Sequence, residues 1–133
     1  KICGKAGINE TTLFNTEERQ ENLAYTRYVL DAGHSGDLLD LLAALAPCVI
    51  GYGIIGKELA VLKTSEIYGA WIDTYACEDY QKVCHDVGEL IDKAIIRRLG
   101  DNPQRSPRWD SLCKRFSMAT KLEVGFWDMG LDP

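Results

Sequence analysis

The chain has 133 residues, a formal net charge of −5 and a 46% share of hydrophobic residues, enough for one core and too short for two full domains. It shows neither the clustered Lys/Arg of a nucleic-acid surface nor an uninterrupted apolar run near the roughly 20 residues of a membrane span, so neither partner is expected. Its five cysteines, Cys3, Cys48, Cys77, Cys84 and Cys113, are odd in number and lack C-x-x-C spacing, which predicts free thiols in a reducing, cytoplasmic setting and no zinc or redox pair.

No charged-then-apolar leader opens the sequence, and residue 1 is Lys, so the expectation is a natural start that lies elsewhere. Apolar spacing of three and four runs throughout and no alternating pattern lasts beyond a few residues, which predicts an all-α class. After an opening segment, Lys1 to Phe14, Asn15 with Glu18 reads as a capping box for a helix over about 16–32, stopped by Gly33. Its inner face is predicted to carry Asn22, Tyr25, Val29 and Ala32. The next helix begins near Ser35–Asp37, with a stripe of Leu38, Leu41, Leu42, Leu45, Cys48, Tyr52, Ile55, Leu59 and Leu62. Pro47 removes a backbone donor inside it and should kink it beside Cys48.

Ser65 can cap a short helix over 66–75, which holds Tyr68, Trp71 and Tyr75. From Glu78 to Leu99 the stripe Tyr80, Val83, Cys84, Val87, Leu90, Ile91, Ala94 and Ile95 predicts a further helix, stopped by Gly100. A loop to Ser106 follows. Ser106-Pro107 then supplies an N-cap and a first-turn proline for a last helix to Asp128, with Leu112, Phe116, Ala119, Glu123 and Phe126 in line. Five helices with short joints are the pattern of an antiparallel bundle.

Two residues interrupt these apolar rows. Cys48 shares a face with Tyr52 one turn on; a buried cysteine is most often a small hydrophobe, but a proline-loosened helix and a nearby phenol give this thiol room and polarity. Glu123 lies between Ala119 and Phe126. A glutamate is seldom buried without a partner, and a buried carboxyl shifts toward its neutral form, which suits proton exchange near neutral pH. The bland reading is an edge position paired with Lys121 or Arg115. If successive helices alternate in direction, Tyr25, Tyr52, Tyr75, Phe126 and Trp127 fall near one end, where a flat heteroaromatic ligand could stack. His34 lies in a joint and His85 off the stripe beside Asp86, which speaks against a Cys–His pair or a haem ligand. Gly51-Tyr52-Gly53 lacks the Lys and Ser/Thr of a phosphate loop.

These residues carry a resemblance. Leu42-Ala-Ala-Leu-Ala-Pro-Cys48-Val-Ile-Gly-Tyr52-Gly-Ile-Ile-Gly56, Trp71-Ile-Asp-Thr-Tyr75 and Glu123-Val-Gly-Phe126-Trp127-Asp-Met129 resemble, in order and spacing, three motifs of the TenA/thiaminase II family. The resemblance covers nearly the whole chain and implies the haem-oxygenase-like helical bundle of TENA/THI-4 domains. It also implies a thiamin-salvage hydrolase that cleaves thiamin or an aminomethyl-pyrimidine to give hydroxymethylpyrimidine. By position, Cys48 would be the nucleophile, Glu123 the proton shuttle, and Tyr52 and Tyr75 would orient the thiol and the intermediate. Tyr25 and Phe126 would shape the pocket. No metal or organic cofactor is implied.

The family's N-terminal helices, with an aspartate and an aromatic that hold the pyrimidine, have no counterpart here. The expectation is therefore that residues 1–133 form the C-terminal portion of one such domain, inactive alone. The partners expected are an aminopyrimidine or thiamin, copies of itself in a tetramer as the resemblance implies, or an N-terminal portion of the same domain. The alternative reading is a ligand-binding or regulatory domain on the same fold; a haem- or quinone-using relative is disfavoured by the lack of an inner-stripe histidine.

Overall fold

The computed structural model describes residues 2–62 and 65–131, and the regular elements among them are all helical, as the spacing predicts. The opening segment forms two short helices, α1 (Ile2–Lys5) and α2 (Glu10–Asn15), which raises the predicted five to seven. Asn9 caps α2, its Oδ1 accepting from the Thr12 amide at 2.8 Å. The helix α3 spans Gln20–Ser35 and starts later than predicted, because the Glu18 carboxylate is held by the Asn22 side chain at 2.6 Å and no capping box closes from Asn15. Gly33 continues the helix; the stop is Gly36, whose N–H donates to the Ala32 carbonyl.

The helix α4 (Leu38–Leu62) is the axis of the molecule. It opens on a reciprocal cap: Asp37 Oδ1 accepts from the Leu39 amide at 2.8 Å, while Asp40 Oδ2 accepts from the Asp37 amide at 2.9 Å. The helix continues through Pro47. Its predicted stripe is displaced, since Leu39, Ala44, Ala46, Pro47, Gly53 and Gly56 are buried while Leu38 and Leu62 are exposed. Four helices converge on α4, and a helix approached from several sides buries its small residues and has no single inner face. By length and composition α4 is apolar enough to cross a membrane, and 22% of its most apolar stretch is buried. Much apolar surface along it is therefore open.

The Ser65-capped helix is shorter than predicted. Ser65 Oγ accepts from the Tyr68 amide at 3.3 Å and closes a turn, so that α5 begins only at Gly69 and runs to Ala76. The helix α6 (Glu78–Leu99) ends at Gly100, whose φ of 83° suits a residue without a Cβ. The predicted loop contains a 3-10 turn at Pro103–Arg105. As expected, α7 (Pro107–Met129) starts with Ser106 accepting from the Arg108 amide. Val83 and Leu90 on α6 and Phe116 on α7 lie exposed, outside the core their stripes predict.

The core is small and made largely of short side chains. Ala32, Ala44 and Ala119 join α3, α4 and α7; Leu39, Ala94 and Leu112 join α4, α6 and α7. Asp40 meets Arg115, Ala44 meets Ala119 and Tyr52 meets Trp127, so α4 and α7 run parallel. In contrast, α3 and α6 run against α4, with Gly33 at Leu41, Leu39 at Ala94 and Val49 at Tyr80. Strict alternation of sequence neighbours would set α4 and α6 parallel, so the expected alternation breaks at the short α5. The observed directions still gather the starts of α3 and α6, the middle of α4 and the ends of α5 and α7 at one end of the bundle.

The opposite end is tied by a network that no sequence motif marks. Arg108 reaches Asp37 Oδ2 at 2.8 Å and Asp40 Oδ2 at 2.6 Å, and Arg115 Nε reaches Asp40 Oδ1 at 3.0 Å. The Arg115 guanidinium also sits 5.8 Å from the centre of the Tyr28 ring, so α3, α4 and α7 are joined there.

Candidate active site

Both sequence anomalies lie at the gathered end. Glu123, on the last third of α7, is 7% exposed, and its Oε2 is buried with no hydrogen-bond partner. Arg115 is committed to Asp40, and no ion pair from Lys121 reaches Glu123 among the described residues. Burial pushes the Glu123 carboxyl above its ordinary 4.5, opposed only in part by Tyr25. The bland edge reading therefore does not describe this side chain.

Tyr25, near the start of α3, faces the same space. Its hydroxyl is buried and forms no well-directed hydrogen bond. Its pKa is pushed up by burial first, then by the Cys48 thiol and the Glu123 carboxyl beside it. Cys48 is half-buried on α4 and donates to the Leu45 carbonyl at 3.1 Å. The expected grip of Tyr52 on the thiol takes a different form: Tyr52 senses Cys48 and Glu123 through space, with burial the main reason its phenol is pushed up to about 12. Tyr25 is the phenol set between thiol and carboxyl.

Tyr52 belongs to a wall of rings. Its centroid lies 5.2 Å from Tyr75, 5.4 Å from Trp127 and 6.0 Å from Trp71, and Trp71 and Tyr75 are 4.6 Å apart, within the range in which aromatic pairs attract. Phe126 is half-buried on α7 and takes no part in these ring pairs. Tyr52, Glu123 and Trp127 line a cleft of 270 Å³ with the apolar side chains of Ile50, Ile55 and Val124; Cys48 and Tyr25 are not on its wall. A larger apolar groove of 540 Å³ runs between α4, α6 and α7 past Ile91, Trp109 and Leu112, and holds none of the predicted site residues.

Tyr80 and Gln81 are residues that sequence reasoning did not single out for the site. Tyr80 donates to the Val49 carbonyl at 3.2 Å, and Gln81 Nε2 donates to Gly53 and Tyr75 carbonyls at 2.9 Å each. Tyr80 reads as one more stripe residue, and Gln81 as ordinary surface. The described residues include no group of His, Cys, Asp and Glu side chains suited to a metal; His34 is exposed and His85 is exposed beside Glu89.

The model of the TENA/THI-4/PQQC family matches residues 1–133. The chain is 35% identical to an uncharacterised protein of Haemophilus influenzae over 98% of this chain and 59% of that one. It is 30% identical to an aminopyrimidine aminohydrolase of Halalkalibacterium halodurans over 94% of this chain and 54% of that one. The crystal structure of a protein described as a TenA family transcription regulator, from Silicibacter sp. TM1040, superposes with a TM-score of 0.95 at 63% identity. That match covers 99% of this chain and 59% of the other. The chain thus spans between half and three-fifths of these relatives. With the all-helical fold, the three motifs and a family match along its full length in agreement, the chain belongs to the TENA/THI-4/PQQC family.

Proposed function

We propose that the protein containing this chain is a thiamin-salvage hydrolase that breaks the C–N bond of an aminomethyl-pyrimidine, or of thiamin, and releases hydroxymethylpyrimidine. The observation that carries this reading is the buried Glu123 carboxyl, its Oε2 without a hydrogen-bond partner, set with the Tyr25 hydroxyl near the Cys48 thiol, in a chain similar to a protein named an aminopyrimidine aminohydrolase. A carboxyl held toward its neutral form can give a proton and take it back at near-neutral pH.

In the proposed reaction the Cys48 sulfur bonds to a pyrimidine ring carbon, and the thiol proton passes to a ring nitrogen. The exocyclic C–N bond then breaks, the amine leaving as ammonia after protonation from Glu123. Water adds to the freed methylene carbon and returns a proton to Glu123; the S–C bond then breaks, the ring nitrogen gives its proton back to the Cys48 sulfur, and the ring regains its aromatic form. Amine and water in, alcohol and ammonia out, balances the step. Tyr52 and Tyr75 orient the thiol and the ring adduct, and Tyr25 and Phe126 shape the site. The Tyr52, Trp71, Tyr75 and Trp127 rings favour a flat heteroaromatic substrate.

A second reading, ligand binding without turnover, is favoured by the description of the Silicibacter structure as a transcription regulator. A net charge of −5 opposes direct contact with DNA. Incubating the complete protein with aminomethyl-pyrimidine separates the two: release of hydroxymethylpyrimidine supports the hydrolase, and saturable binding without product supports the regulator.

A further inference from the structure

Gln81 lies in the first turn of α6, and its amide nitrogen spans two neighbouring helices. It donates to the Tyr75 carbonyl on α5 and the Gly53 carbonyl on α4, at 2.9 Å each. Tyr75 is in the last turn of α5, where carbonyls have no partner within the helix, so Gln81 satisfies a group that would otherwise be orphaned. The corner is close-packed. A Cβ on Gly53 would stand 2.5 Å from Cys84 Sγ and 3.3 Å from Gln81 Nε2, and one on Gly56 would stand 2.6 Å from Tyr75 Cβ. Tyr80 and Cys84 add contacts to the Val49 carbonyl at 3.2 and 3.5 Å. Residues 80, 81 and 84 therefore pin the stretch of α4 that directly follows Cys48 and contains Tyr52, while Gln81 alone also holds the backbone of Tyr75, whose ring lies 5.2 Å from Tyr52.

We propose that Gln81 is a positioning residue for the site: its two hydrogen bonds set Tyr75 in register with the Cys48–Tyr52 turn. Its effect on turnover rests on the hydrolase reading above. In the complete protein, with aminomethyl-pyrimidine as substrate, Q81M keeps the side-chain volume and loses both donors, whereas Q81K keeps donors. Q81M should lower kcat by about 10- to 100-fold, the scale of a small misplacement of reacting groups, with KM little changed. It should also alter the near-ultraviolet circular dichroism of the ring wall, and Q81K should restore both signals. Should Q81M fail to fold, Q81E, which turns an acceptor toward the two carbonyls, is compared with Q81K under the same expectations. Wild-type kcat in Q81M, or a loss in Q81K equal to that in Q81M, overturns the proposal. A wild-type protein without turnover overturns the hydrolase reading instead. Near-ultraviolet dichroism and the rate of Cys48 alkylation by iodoacetamide, read by mass spectrometry, then decide the positioning role: a change in Q81M restored in Q81K supports it, and no change overturns it.

Discussion

Glu123 is a destabilising residue in the folded chain, and that is the main physical reason to assign it a task. Its carboxyl is raised above its ordinary 4.5 by burial, so as pH climbs past that value the unfolded chain gives up the proton while the folded chain retains it. The folded state is thereby penalised above about pH 4.5 and unpenalised below it, where both forms are protonated. Glu123→Gln should raise Tm at pH 7 by roughly a few degrees, with the gain fading as pH falls below the ordinary carboxylate range; a thermal-melt series over pH checks this. Asp37 has the opposite sign. Arg108 beside it holds its carboxyl below the ordinary 3.8, so its contribution is present above that pH and is lost as pH falls. Glu123 and Cys48 were legible because each breaks an apolar row at helical spacing. Which phenol faces the thiol was not legible, since Tyr25 and Cys48 sit on different helices and only the crossing of α3 over α4 brings them together.

At the scale of elements, close helix approach sets which substitutions are tolerated. A Cβ on Gly56 would meet Tyr75 Cβ at 2.6 Å and the Tyr75 backbone carbon at 2.8 Å. Gly56→Ala should therefore cost about 1–3 kcal/mol through overpacking, against a smaller gain in helix propensity. Gly88, in the interior of α6, has open space where its Cβ would be, so Gly88→Ala should stabilise the chain by about 0.5–1 kcal/mol. Urea unfolding of the two variants gives the comparison, and equal shifts would contradict the packing described. The Asp40 network makes a second contrast. Asp40 is 8% exposed and accepts from two arginines, so Asp40→Ala should cost about 1–3 kcal/mol by removing these charge-assisted hydrogen bonds and the acceptor for the Asp37 amide. Asp37 is more exposed, and Asp37→Ala should cost less than about 1 kcal/mol beyond its capping role. Helix identities were legible from period and caps. The Asp40 network was not, because its arginines stand 68 and 75 residues away and no local pattern links them.

At the scale of the molecule, the chain leaves large apolar side chains exposed on several helices. Ile54, Val61, Ile67 and Phe116 are exposed, and the 540 Å³ groove between α4, α6 and α7 is lined almost entirely by apolar side chains. Contiguous surface of this kind favours association. The 133-residue chain in isolation should show a concentration-dependent mass in sedimentation equilibrium, and a strictly monomeric chain across the micromolar range would contradict this. The course of this surface was not legible in the sequence, because the predicted inner stripe of α4 is displaced by four converging neighbours.

The proposed chemistry depends on Cys48 acting with Glu123 on an aminopyrimidine. Its most direct test is release of hydroxymethylpyrimidine from aminomethyl-pyrimidine by the complete protein, measured for the wild type and for Cys48→Ser. The expected result is steady product from the wild type and a loss on the order of 10³-fold or more in the variant, the scale seen when a nucleophile is removed. Unchanged turnover by Cys48→Ser would contradict it.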